Sequence, residues 1–110
     1  MTTVVICKDR EGSYRGFYCM GHAEYAKEGG PDILCAAISA LTIGTINALE
    51  ALAGERLETA QNDETGFLKC DFLSTLQEKS SFLMDAMVFS LENISREYGD
   101  RYLQVKFEEV

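Results

Sequence analysis

The most constraining feature of the sequence is an uncharged stretch of 17 residues, from Ile33 to Leu49. Asp32 before it and Gly54 after it are residue types that cap the two ends of a helix. The stretch contains serine, threonine and asparagine, and it falls short of the roughly 20 apolar residues that span a bilayer. We therefore expect a buried core helix from Ile33 to about Ala53, and no membrane segment.

Strands and a second helix are predicted on both sides of this core helix. A second helix is expected to be capped by Ser74 or Thr75 and to end before Gly99, because apolar residues recur between them every three to four positions. The resulting order is ββαββαβ, which predicts an α+β fold with a mostly antiparallel sheet and two helices in one domain, residues 1–110. Five segments rich in β-branched or aromatic residues, or bounded by turn formers, predict the strands: Thr3–Lys8, Tyr14–Met20, Glu58–Gln61, Gly66–Phe72 and Leu103–Glu108.

Charge and cysteine content limit the partners. The formal net charge of -8 opposes binding to nucleic acid or anionic lipid and favours a basic partner. The first residues, Met1 to Asp9, lack the pattern of a secretory leader, so we expect a cytoplasmic protein. The four cysteines form no Cys-x-x-Cys pair and the chain has one histidine, which predicts free thiols, no metal site and no cofactor.

The candidate chemistry lies in His22 and Cys35. If Asp32 caps the core helix, Cys35 occupies its third position, where the partial positive charge and the unpaired N–H groups of a helix start favour a thiolate. A histidine beside it is able to take the thiol proton, and the N–H groups of the helix start would stabilise an oxyanion. The same residues also fit a purely structural interpretation, in which the cysteine is a small buried hydrophobe and the histidine lies on the surface.

Two neighbouring side chains have alternative roles. Asp32 is able to cap the helix, to orient His22, or to do both. Ser39 follows Cys35 by one helical turn, so its hydroxyl is expected either to hydrogen-bond within the site or to bond back to the Cys35 carbonyl.

The loop between the two candidate residues contains Tyr25 and the pair Gly29 and Gly30. Consecutive glycines lower the cost of backbone rearrangement. We expect this loop to act as a lid that folds over a bound peptide.

The sequence resembles the ribosomal-processing cysteine proteases through Gly21-His22-Ala23 and through Asp32-Ile33-Leu34-Cys35-Ala36-Ala37 followed by Ser39. The resemblance implies a cytoplasmic bacterial endopeptidase that removes a short N-terminal extension from ribosomal protein number twenty-seven of the large subunit. It makes Cys35 the nucleophile and His22 the general base and acid. In the same way it gives Asp32 and Ser39 supporting roles and makes Gly21 a point of close backbone approach.

Two further expectations concern partners. The apolar core helix has Gly44 in its interior, and together with the resemblance this predicts a homodimer. The alternative to an endopeptidase is a non-catalytic module that binds a basic ribosomal protein through the same cleft.

Overall fold

The computed structural model describes residues 1–24 and 32–110, and Tyr25, Gly29 and Gly30 of the expected lid lie outside them. The order ββαββαβ and the α+β class are confirmed. The elements are β1 (Thr2–Lys8), β2 (Tyr14–Met20), α1 (Ile33–Ala51), β3 (Leu57–Asn62), β4 (Phe67–Phe72), α2 (Glu78–Tyr98) and β5 (Leu103–Glu109).

The five strands form one sheet in the order β3-β4-β2-β1-β5. Among the strands of the described residues, β1 and β5 are the one parallel pair, so the mostly antiparallel sheet is confirmed. Alternate strand residues, such as Ile6, Phe17 and Cys70, point into one apolar core that is completed by α1 and α2. The register places the end of β2 beside the hairpin turn between β3 and β4, because Cys19 pairs with Leu68.

The core helix α1 is buried on one face only. Its buried residues recur every three to four positions and include Leu34, Ile38 and Ile46. The expected core helix therefore packs into the core with one face, because a two-layer fold covers one side of each helix: Ile33 is 63% exposed. By length and composition α1 would also be able to cross a membrane, a property that core helices share.

The C-terminal end of α1 differs from the prediction. The helix ends at Ala51 with Leu52 as its cap, rather than running to Ala53 with Gly54 as the cap. The Leu52 N–H still bonds four residues back to the Ala48 carbonyl, but the Ala53 N–H reaches the same carbonyl five residues back, so the regular helical pattern ends there.

The start of α2 is capped from outside its own segment. The helix begins after Gln77, two residues later than a cap at Thr75 would give, and Gln77 forms no side-chain cap. Instead the carboxylate of Glu55, in the connection between α1 and β3, accepts the Gln77 N–H at 3.0 Å. The prediction of Ser74 or Thr75 as the cap is wrong because a buried acceptor from another part of the chain occupies the helix start.

Candidate active site

The backbone turns sharply where β2 ends, and this turn carries His22. Gly21 has a φ of +84°, and a Cβ atom at this position would lie 2.3 Å from the carbonyl oxygen of Met1. Its N–H donates to the Thr65 carbonyl at 3.2 Å. A glycine is therefore required here for both conformation and space.

The turn of the second hairpin holds the His22 ring in place. Gly66 has a φ of +71° and lies so close to Gly21 that a Cβ atom would be 2.2 Å from the Gly21 carbonyl oxygen. This contact brings the Glu64 carbonyl oxygen to 3.0 Å from His22 Nε2. In a neutral imidazole that donates from Nε2, Nδ1 has no proton and is able to act as a base.

Asp32 caps the start of α1 in the predicted manner. Its Oδ1 atom accepts the N–H groups of Leu34 and Cys35, both at 3.0 Å. The Ala36 N–H reaches the Asp32 carbonyl at 3.1 Å. These three amides of the helix start are thus bonded to Asp32 in this structure, and their expected role as oxyanion donors stays a prediction.

A different backbone amide points at the thiol. The N–H of Ala23 donates to Cys35 Sγ at 3.1 Å. Ala23 is fully buried. The next residue, Glu24, has a backbone φ of +57°, which is uncommon for a residue other than glycine. The chain on both sides of Ala23 is therefore shaped so that this amide faces the sulfur.

His22 and Cys35 line one cleft, which has a volume of about 140 Å³. Ser39 lies in the same cleft, one turn beyond Cys35. Within the described residues no hydrogen bond joins the Ser39 hydroxyl to the Cys35 carbonyl, so the back-bonded interpretation is wrong. The opposite wall is formed by residues of the second hairpin: Gln61, Asn62 and Asp63.

The other three cysteines lie in strands and are poor nucleophiles. Burial raises the pKa of Cys19 and of Cys70 to about 12. Burial, followed by the carboxylates of Glu108 and Asp71, raises the pKa of Cys7. Because thiolates are the reactive form, these thiols are nearly inert at neutral pH.

Sequence reasoning missed the contribution of the second hairpin. The segment from Asn62 to Thr65, between two predicted strands, predicted a turn, but this turn is 40 residues and more from His22 along the chain. Only the strand order brings the two together. A glycine following a turn-forming run was the one local signal of close packing.

Within the described residues no cluster of three or more potential metal ligands is found.

The fold and the cleft together define a class of protein. A small α+β domain that holds a cysteine at a helix start and a histidine in one cleft has the arrangement of a cysteine peptidase. The family model described as cysteine protease Prp matches residues 1–104, and the chain belongs to this family of cysteine proteases.

Relatives of known structure and sequence agree with this assignment. The chain is 32% identical to the ribosomal processing cysteine protease Prp of Staphylococcus aureus, over 91% of this chain and 93% of the relative. It is 31% identical to the protein of that name from Bacillus subtilis, over 91% and 92%. A crystal structure of the Staphylococcus aureus protease with a covalently linked product peptide superposes with a TM-score of 0.89 at 30% identity, covering 98% of this chain and all of that one.

Proposed function

We propose that the chain is a cytoplasmic endopeptidase that removes a short N-terminal extension from ribosomal protein number twenty-seven of the large subunit, with Cys35 as nucleophile and His22 as general base and acid. The observation that carries this proposal is the convergence of the two side chains in one cleft, with the Ala23 amide directed at the sulfur. The names of the relatives, which state ribosomal processing, support the choice of substrate. Membership in a family of proteases favours this function over a non-catalytic binding module.

The reaction follows from the roles of these groups. His22 takes the proton of the Cys35 thiol, and the sulfur attacks the scissile carbonyl carbon. The negative charge that forms on the carbonyl oxygen lies near the sulfur, where the Ala23 N–H is one backbone donor among the described residues. Collapse breaks the C–N bond, the proton passes from His22 to the leaving amine, and a thioester remains on Cys35. Water, deprotonated by His22, then hydrolyses the thioester and restores the thiol.

The Glu64 carbonyl determines which nitrogen of His22 acts as the general base. It accepts from Nε2 and stabilises the protonated ring once both nitrogens carry hydrogen. Asp32 supports the site by holding the first turn of α1, and therefore the backbone of Cys35, in place. Ser39 lies on the wall of the cleft where a bound peptide would contact it.

Selective alkylation tests the assignment of the nucleophile. Iodoacetamide at pH 6 to 7, followed by mapping of the adducts, is expected to label Cys35 well ahead of the three strand cysteines. The protein unfolded in urea serves as the control, because there all four thiols become equally accessible. Uniform labelling of the folded protein would contradict the proposal.

The homodimer is part of the proposal and has its own support. Besides Ile33, the outer face of α1 exposes a series of small residues, including Ala40 and Gly44. No described residue of the chain covers this face, and a second copy would bury it. Light scattering at micromolar concentration is expected to give twice the chain mass of 12.2 kDa.

A matched pair of variants locates the dimer surface. Ala40→Glu introduces a charge on the exposed face of α1, whereas Ala86→Glu does so on the exposed face of α2. We expect the first to give a monomer and the second to leave the dimer intact. A mass near 12 kDa for the unaltered protein would reject the dimer altogether.

A further inference from the structure

One edge of the sheet borders the cleft. Within residues 1–24 and 32–110, β3 pairs with β4 alone and is therefore an edge strand. Its residues from Glu58 to Asn62 are exposed. The last two of them, Gln61 and Asn62, line the same cleft as Cys35.

The register shows which main-chain groups face outward. The Leu73 N–H donates to the Arg56 carbonyl at 3.0 Å, so the main chain of Arg56 points towards β4. Main-chain groups of a strand alternate in direction, and residues 58, 60 and 62 therefore also point towards β4. The N–H and C=O groups of Leu57, Thr59 and Gln61 point the other way, along the open edge.

We propose that the substrate peptide binds as an added strand on the outer edge of β3, exchanging main-chain hydrogen bonds with Thr59 and Gln61 before its scissile bond reaches Cys35. This inference rests on the proposed endopeptidase function. An extended peptide is the form in which a backbone offers donors and acceptors at the spacing of an edge strand, and unpaired edges are common sites for peptide binding.

The opposite wall of the cleft fits the same mode of binding. Ser39 and Ile43 of α1 line the same cleft as Gln61. Side chains of a strand point alternately to the two faces of a sheet. Every second residue of the bound peptide would therefore point into the space between α1 and β3, while the main chain is held by the edge.

A proline at position 61 tests the hydrogen bonds directly. Gln61→Pro removes the outward N–H but none of the bonds to β4, and proline is tolerated on the open side of an edge strand. The matched control, Gln61→Ala, loses the side chain and keeps the N–H. The substrate is a synthetic peptide that spans the processed N-terminus of the host's ribosomal protein number twenty-seven. For it we expect KM to rise roughly threefold to tenfold for the proline variant relative to the alanine variant, with kcat little changed.

Methylated peptides provide a second test that does not depend on folding of the variant. Peptides with a single N-methyl group, placed at each amide in turn, are assayed with the unaltered enzyme. Strand pairing predicts that KM rises for methylation at every second residue and changes little at the residues between them.

The outcomes separate the two claims. If the unaltered enzyme cleaves the peptide, but the proline and alanine variants have equal KM values and methylation shows no alternation, the edge-strand proposal is overturned and the endopeptidase stands. If the unaltered enzyme leaves the peptide intact, the proposed function fails, and this inference fails with it.

Discussion

The contact between the hairpin turn and the end of β2 makes a specific prediction for Gly66→Ala. A Cβ atom at this position would lie 2.2 Å from the Gly21 carbonyl oxygen and 2.8 Å from its carbon. Both are backbone atoms, so the clash is relieved only by moving the turn away from Gly21. Reaching ordinary van der Waals contact, at 3.4 Å or more, requires a shift of about 1 Å.

Gly54→Ala is a matched control for this substitution. Gly54 has a φ of +66°, close to the +71° of Gly66, but apart from its chain neighbours no atom lies within 4 Å of its Cβ position. An alanine there bears only the cost of the left-handed conformation, about 1 to 2 kcal/mol. For a chain of this size each kcal/mol lowers Tm by roughly 4 to 8 °C.

The effect on activity should separate the two variants. A 1 Å displacement of the turn breaks the hydrogen bond between the Glu64 carbonyl and His22 Nε2 and releases the ring. Displacements of this size cost about 100-fold in rate. We expect Gly66→Ala to lose about 100-fold in kcat/KM at a temperature below its Tm, and Gly54→Ala to retain full activity.

Peptide cleavage and thermal unfolding of both variants, measured side by side, check this reasoning. Equal kcat/KM values for the two variants would show that the turn does not position His22. Equal Tm values would show that the predicted clash is absorbed without cost.

Three other substitutions test the remaining contacts. Asp32→Ala is expected to lower the free energy of unfolding by about 1 kcal/mol in urea titrations. Asp32→Asn keeps the capping oxygen, so its free energy of unfolding should stay within a few tenths of a kcal/mol of the unaltered protein. Equal losses for the two variants would show that Asp32 does not stabilise the helix as a cap. His22→Ala should reduce cleavage by roughly 100-fold or more, and near-normal turnover would mean that another group is the base. Burial opposes the ionisation of Glu55, but the nearby Ser80 hydroxyl and the Gln77 N–H, which donates to the carboxylate, hold its pKa below the usual 4.5. The stabilising effect of the Glu55 carboxylate is therefore complete above pH 4.5 and is lost as the pH falls through the lowered pKa. Urea titrations of Glu55→Gln should accordingly show a weaker loss of stability in acid than those of the unaltered protein.

Local patterns predicted most of the fold. The uncharged stretch, the Asp32 cap and the alternating strand segments each report on their own neighbourhood, and the structure places the elements within a few residues of those bounds. The errors occur where a distant group intervenes. Ser74 and Thr75 are good capping residues, yet the buried carboxylate of Glu55 takes that position at the start of α2.

The site was predictable only in part for the same reason. His22 and Cys35 lie 13 positions apart and are joined by one loop, so their types and the helix start were sufficient to suggest a shared site. The contribution of Glu64 and Gly66 depends on strand order, which no local pattern encodes. The amide of Ala23 depends on backbone angles at the end of β2, and side-chain identity carries little information about them.

Cleavage of the ribosomal precursor by the Cys35→Ala protein tests the central claim most directly. The precursor is incubated with unaltered or Cys35→Ala protein, and its intact mass is followed with time. We predict that the unaltered protein shortens the precursor by its N-terminal extension and that the variant, although folded to the same Tm, leaves the precursor at full mass. Shortening by the Cys35→Ala protein at the unaltered rate would contradict the assignment of Cys35 as the nucleophile.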